Sequence, residues 1–261
     1  MKFRPCIDIH NGSVKQIVGG TLSDRGNQAE DNFVSEYDAA FYANMYREDG
    51  LTGGHIILLN KADSEYYEAD LAQAKEALTA FPRGLQIGGG VNLQNAESFL
   101  DMQASHVIVT SFVFRDGRID WDHLKQLVSL VGREHLVLDL SCRFVQDDYY
   151  IVTDRWQKVT KQHFSVETLE MLSEYCDEFL VHAVDVEGKT SGIEKQVIQR
   201  MGQFQGCPMT YAGGIYSPQD LQYIAKAANE TVDYTIGSAL DLFGGSIAYK
   251  SIVSGEFTGA M

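Results

Sequence analysis

The chain has 261 residues, 44% of them hydrophobic and 22% charged, so it carries enough apolar material to bury a sizeable core. Its formal net charge of −15 argues against a nucleic-acid partner, because a phosphate backbone needs a basic face. No run approaches the ~20 apolar residues of a membrane span, Asp8 stands where a signal peptide would have its apolar stretch, and the four cysteines form no C-x-x-C pair. A cytoplasmic protein without a membrane partner is expected.

Along the chain, short apolar runs alternate with stretches of helical period. The predicted strands are residues 3–9, 55–59, 85–87, 106–109, 136–140, 179–184, 209–211 and 232–236, and the predicted helices 37–48, 69–79, 93–102, 122–130, 166–175, 194–201, 218–227 and 239–249. Such alternation implies parallel strands with crossover helices. Eight strands can close into a TIM (β/α)8 barrel, which needs about 250 residues as one domain. Nothing looks like a protected edge strand, so closure is expected, with residues 1–261 as a single domain. Two stretches, 11–35 and 141–162, are too long for ordinary connections. Both follow a strand that carries an aspartate, and they read as lids over the barrel mouth.

A faint internal repeat runs through the chain. Asp8 in Cys-Ile-Asp-Ile has a counterpart in Asp139 of Val-Leu-Asp-Leu. Gly88-Gly89-Gly90-Val91 answers to Ala212-Gly213-Gly214-Ile215, and Val109-Thr110-Ser111 to Ile236-Gly237-Ser238, all at nearly the same offset. Two half-barrels of four strands explain the three pairs together.

The glycine pairs carry the first chemical inference. A glycine-rich turn at the end of a strand lets backbone N–H groups approach an anion, and the next helix offers its positive end. Gly213, Gly214, Gly237 and Ser238 fall at strands seven and eight, where barrels often hold phosphate. Gly89, Gly90, Thr110 and Ser111 fall at strands three and four. Tight turns alone would explain one such cluster; two at matching offsets point to a small, doubly phosphorylated substrate. Phosphate binding by an acidic chain must then rely on local groups rather than overall charge.

Asp8 and Asp139 come next. A carboxylate at the C-terminal end of a barrel strand is costly unless it is paired or meets substrate. Two of them across one mouth can divide acid and base duties. His182, Glu187 and Arg143 are candidate binding residues, Arg143 for a substrate phosphate, although His182 reads equally as a satisfied strand-end histidine, Glu187 as a solvated side chain, and Arg143 as a partner of its own loop's aspartates. Trp156 in a polar loop suits stacking on a flat heterocycle. There is no G-x-G-x-x-G after the first strand, no P-loop and no ligand cluster of metal spacing, so neither cofactor nor metal is expected.

The segments CIDIHNGSVKQIVGGTL from Cys6, LVLDLSCR at 136–143, VHAVDVEG at 181–188, YAGGI at 211–215 and GSALDLFGG at 237–245 resemble the ProFAR isomerase family of histidine biosynthesis, often called HisA, in its fungal and plant-like branch. The resemblance spans nearly the whole chain. It implies an aldose–ketose isomerase that performs an Amadori rearrangement on N′-formimino-phosphoribosyl-aminoimidazole carboxamide ribotide (ProFAR). It also implies Asp8 as base at the sugar C2, Asp139 as the acid that opens the furanose ring, and Trp156 stacking on the imidazole. Gly19 and Gly20, in the quoted opening, join the candidate binding residues. The family's threonine after strand six falls on His182 and its following aspartate on Glu187, both departures from the bacterial pattern. The related cyclase remains an alternative, although its usual strand-one lysine would stand at His10, as does a sugar-phosphate sensor without turnover. A monomer is expected.

Overall fold

Strands packed between a barrel axis and a layer of helices are apolar on both faces, as these Val-, Ile- and Leu-rich runs are. The computed structural model describes residues 1–17, 31–189 and 191–258. Its barrel strands are β1 (Cys6–His10), β2 (Gly54–Leu58), β3 (Leu85–Gly88), β4 (Val107–Val109), β5 (Leu136–Asp139), β6 (Glu178–His182), β7 (Met209–Ala212) and β8 (Val232–Tyr234). The helices between and after them are α1 (Ala39–Glu48), α2 (Tyr67–Ala80), α3 (Ala96–Asp101), α4 (Trp121–Val131), α5 (Val166–Ser173), α6 (Lys195–Gln203), α7 (Pro218–Ala227) and α8 (Tyr249–Val253). Each barrel strand pairs in parallel with the next. A parallel bridge between Phe3 and Tyr234, with Arg4 N–H donating to the Tyr234 carbonyl at 2.8 Å, returns β8 to the start of β1. The sheet therefore closes into the expected (β/α)8 barrel.

The period of two divides each strand between two cores. Ile7, Ile9, Val107, Val109, Phe179 and Val181 face the helices in the larger core. Ile108, Val137, Leu180 and Ala212, with Ile57 against them, fill the barrel interior. Asp8 in the middle of β1, and Asp139 and His182 at the ends of β5 and β6, continue the inward rows.

The long stretches are built of antiparallel strands. Asn11 and Gly12 both have positive φ (52° and 76°), the turn an Asn-Gly hairpin adopts, and the chain folds back so that Ser13–Ile17 pairs with β1 and with Asp31–Val34. Residues 142–163 form a three-stranded sheet, Cys142–Val145, Asp148–Thr153 and Lys158–His163. The predicted helix over 239–249 is corrected: a 3-10 turn at Asp241–Phe243 precedes α8. Gly244 takes φ 80°, and a Cβ at Gly245 would lie 2.2 Å from the Ala239 backbone, so the chain reverses there and cannot continue a helix. Asp241 Oδ1 then accepts the Tyr249 N–H at 2.9 Å, at the start of α8. Among the described residues no helix is long and apolar enough to cross a membrane.

Candidate active site

Asp8 stands in the middle of β1 on the row that faces the axis. The returning hairpin places Gln16 beside it, and the Gln16 Nε2 donates to Asp8 Oδ2 at 3.0 Å. Gln16 is almost fully buried, and its Oε1 accepts the Ser238 hydroxyl at 3.4 Å. It fits only because Gly237 has no side chain: a Cβ there would lie 2.3 Å from Gln16 Oε1. Asn32, on the second hairpin strand, donates to Ser238 Oγ at 3.2 Å and to the Gly188 carbonyl at 3.1 Å. The first stretch thus ties the end of β1 to the turns after β6 and β8. Gly19 and Gly20 lie outside the described residues.

Asp139 ends β5. Its Oδ1 accepts the Ser141 hydroxyl at 2.8 Å and faces His182 Nδ1 at 3.2 Å. Ser141 Oγ in turn accepts the indole N–H of Trp156 at 3.0 Å. Trp156 belongs to a turn in which Asp154, Arg155 and Trp156 all have positive φ (52°, 54° and 66°), and its ring centroid lies 6.0 Å from that of His182. The indole is half-buried, and its polar edge has a partner inside the mouth. Arg143 pairs with Asp185 beyond β6 (Nε to Oδ1, 3.2 Å) rather than with aspartates of its own loop. Asp185 Oδ2 also accepts the Phe144 N–H at 2.9 Å, which fastens the three-stranded sheet to the mouth.

One cavity joins these groups. Asp8, Gln16, His55, His182 and Glu187 line it, and so do Gly213, Gly214, Gly237 and Ser238 at the turns after β7 and β8. Gly89, Gly90, Thr110 and Ser111 do not line it. Their turns lie at β3 and β4, where Ser111 Oγ accepts the Asp154 N–H at 2.8 Å and Arg155 reaches the Leu59 carbonyl at 3.4 Å. That half-buried guanidinium is a local cation on the side of an acidic chain where an anion would need one. The repeat is visible in the backbone. Gly89 and Gly213 have φ 109° and 133°, Gly90 and Gly214 72° and 69°. A Cβ at Gly89 would lie 2.2 Å from the Leu58 carbonyl oxygen and one at Gly213 2.9 Å from that of Ala183, so both glycines also serve close packing on the preceding strand.

The charges in the mouth are uneven. Burial pushes the Asp8 carboxyl up to about 7, helped by the charge of Glu187 and opposed by His182 and the Gln16 hydrogen bond. Burial also raises Glu187, whose Oε2 is shut from solvent and has no hydrogen-bond partner among the described residues; the reading of a solvated Glu187 is corrected. For Asp139, burial is outweighed by the charge and hydrogen bond of His182 and by Ser141, and its carboxyl stays below the usual range. Burial pulls His182 down, but Asp139, Glu187 and Asp8 together carry it up to about 9. His55, edge-on to His182 at 6.2 Å, is pushed down to about 3 by burial and by the charge of His182. At neutral pH the mouth therefore holds an imidazolium on a carboxylate beside a second carboxyl poised to exchange its proton.

Residues 2–247 match the family described as histidine biosynthesis protein. The chain belongs to that family. Over 258 residues it is 51% identical to the chloroplastic 1-(5-phosphoribosyl)-5-((5-phosphoribosylamino)methylideneamino)imidazole-4-carboxamide isomerase of Medicago truncatula, covering 97% of this chain and 81% of the relative. The isomerases of the same name from Yarrowia lipolytica and Saccharomyces cerevisiae are 43% and 39% identical, each with 94% of this chain covered, and 93% and 94% of the relative. The resemblance read from the five quoted segments is borne out. Sequence reasoning singled out Asp8, Asp139 and His182 but passed over Gln16, Ser141, Asp185, Arg155 and His55. The Asn11-Gly12 turn, which predicts a hairpin, is the signal that would have brought Gln16 to Asp8.

Proposed function

We propose that the chain isomerises ProFAR, an aminoaldose with a phosphate at each end, to the corresponding aminoketose by acid–base catalysis without a cofactor. The observation that carries this reading is the cavity itself. It sets Asp8, a base whose pKa of about 7 suits proton abstraction at neutral pH, on the same space as His182, which is bonded to Asp139, and as the Gly213-Gly214 and Gly237-Ser238 turns. Asp8 takes the proton from the sugar C2, and the Asp139 side of the mouth supplies the proton that opens the furanose ring. One phosphate sits at the turns after β7 and β8 and the other at those after β3 and β4, near Arg155, so that the reacting carbons are held between Asp8 and Asp139. Trp156 stacks on the imidazole. The relatives' names favour the isomerase over the cyclase; a cytoplasmic monomer is proposed beside it on composition alone. Purified chain incubated with ProFAR alone should form the aminoketose, followed by chromatography. No turnover with ProFAR would overturn the proposal.

A further inference from the structure

Resting on that reading, we propose that Asn60, just beyond β2, and Asp70, in the first turn of α2, are positioning residues: they clasp the Asn11-Gly12 turn so that the returning strand presents Gln16 to Asp8. Asn60 Oδ1 accepts the Asn11 N–H at 2.8 Å, and Asn60 Nδ2 donates back to Asn11 Oδ1 at 2.9 Å. Asp70 Oδ1 accepts the Gly12 N–H at 2.6 Å. Gly12 lies directly on α2, where a Cβ would stand 3.1 Å from that of Ala69. Water can satisfy the N–H groups of a surface turn; here two almost fully buried side chains do so instead. Asp70 is kept there at a cost. Burial pushes its carboxyl up to about 6, against the hydrogen bonds of Gly12 and Asn60 and the charge of Lys15, and its Oδ2 has no hydrogen-bond partner among the described residues. A buried carboxylate that is only partly satisfied destabilises a fold, so packing alone does not account for it.

What the clasp secures is the register of the hairpin. Ser13–Ile17 meets β1 at two positions, Ile9 with Val14 and His10 with Ser13. Side chains alternate along a strand, so a slip of one residue would turn Gln16 away from Asp8 and bring Lys15 or Ile17 to that side. Even a small drift matters, because the bond from Gln16 Nε2 to Asp8 Oδ2 is 3.0 Å long and is lost beyond ~3.5 Å. The turn lies between β1 and Gln16 in the chain. Holding both its N–H groups on groups of the barrel wall therefore fixes where the returning strand starts. Gln16 donates to the ionised carboxylate, and without it Asp8 would hold its proton to higher pH. Glu187 and His182 also act on Asp8, and Cys6 and Tyr46, both kept neutral by burial, lie near it. The bonds of the clasp involve none of these four.

The test compares Asp70→Ala, Gln16→Leu and the two together. Asp70→Ala should move the acid limb of kcat/KM upward, lowering activity near pH 6 by no more than Gln16→Leu does, roughly three- to tenfold, with a smaller loss near pH 8. The direction is diagnostic, since removing a negative charge would by itself favour the Asp8 carboxylate and move the limb down. With Gln16 already replaced, removing Asp70 should move the limb no further, because residues that act through one bond are not additive. Asp70→Asn keeps an acceptor for Gly12 and should keep the wild-type limb. Asn60→Ala releases the Asn11 N–H alone; it should shift the limb the same way by less, and it serves if Asp70→Ala does not fold. In protein labelled at the aspartate carboxyl carbons, the Asp8 titration followed by NMR should show the same shifts without turnover. Equal losses at every pH, a limb that moves down, or additive shifts in the double variant would overturn the clasp. A wild-type chain that leaves ProFAR unchanged overturns the isomerase reading, while the NMR titration still decides the clasp.

Discussion

The two ends of the barrel treat charge in opposite ways. At the N-terminal end, Glu178 at the start of β6 accepts from Gln86 Nε2 at 3.0 Å and from Thr210 Oγ1 at 2.8 Å and lies 3.7 Å from the Arg4 guanidinium, which also pairs with Asp233 at 2.8 Å. Every group named has a partner. Toward the C-terminal end the same inward rows carry Asp8, Asp139 and His182, with Glu187 beyond β6 beside them: one cation among three carboxyls, and one carboxyl oxygen without a hydrogen bond among the described residues. The residue types are alike, and what differs is whether their bonding is complete. A saturated network stabilises and has nothing to exchange with a ligand. An unsaturated one costs stability and keeps protons available, and polar groups at this end of such barrels are where chemistry is found.

The largest expected effect breaks the closed end. Glu178→Leu strands the Gln86 amide and the Thr210 hydroxyl, both buried, and removes a partner of Arg4. Breaking a buried pair from one side costs about 3–5 kcal/mol, read as a lower denaturant midpoint, while kcat of the folded fraction stays at the wild-type value. A loss under about 1 kcal/mol would mean that this end is not held by its charges. The open end should respond the other way round: Asp8→Asn should lower kcat by about 10²-fold or more with little change in KM, since a positioned base is worth that much.

Asp8→Asn should also stabilise the fold, and the sign follows from the shift. The folded carboxyl titrates at about 7, above its ordinary 3.8. Its ionised form is thus disfavoured by folding: the penalty is absent below pH ~4, grows between about 4 and 7, and is complete above 7. The variant's melting temperature should exceed the wild type's by a few degrees at pH ~8 and match it at pH ~4. A variant less stable at both would contradict the picture of a mouth that trades stability for proton exchange.

The fold was legible because barrel strands are apolar on both faces and helices amphipathic. The predicted helix 218–227 coincides with α7, whose start is held by a capping box at Ser217 and Asp220 with proline in the first turn. The end of the chain misled, because residues 239–249 have a helical period and only the Gly244-Gly245 pair betrays the reversal. In the site, strand-end aspartates and repeated glycines stand out by residue type. Gln16 and Ser141 do not, since neutral polar residues gain their role only from the carboxylate that the fold sets beside them. Glu187 looked solvated because nothing in its neighbours predicts that the mouth closes over its Oε2. Trp156 was visible, but its bond to Ser141 depends on a left-handed turn at Asp154-Arg155-Trp156, an uncommon conformation for such residues.

The smallest effect falls on Gln16, the residue that joins the hairpin to Asp8. Its amide donates to the ionised carboxylate, so it favours the charged form and holds the Asp8 pKa lower than burial and Glu187 would set it. Gln16→Leu puts an apolar side chain of similar bulk in its place and removes the donor. Asp8 should then hold its proton to higher pH, and the acid limb of kcat/KM should move upward. A hydrogen bond to a charged group is worth roughly 1.5–3 kcal/mol, part of it offset by relaxation, so activity near pH 6 should fall roughly three- to tenfold. Near pH 8, where Asp8 is mostly ionised in the wild type, the loss should be smaller. A limb that moves to lower pH would mean that Gln16 opposes the carboxylate. A uniform loss at every pH would make it a packing residue only. Either result would remove the hairpin's part in setting the base.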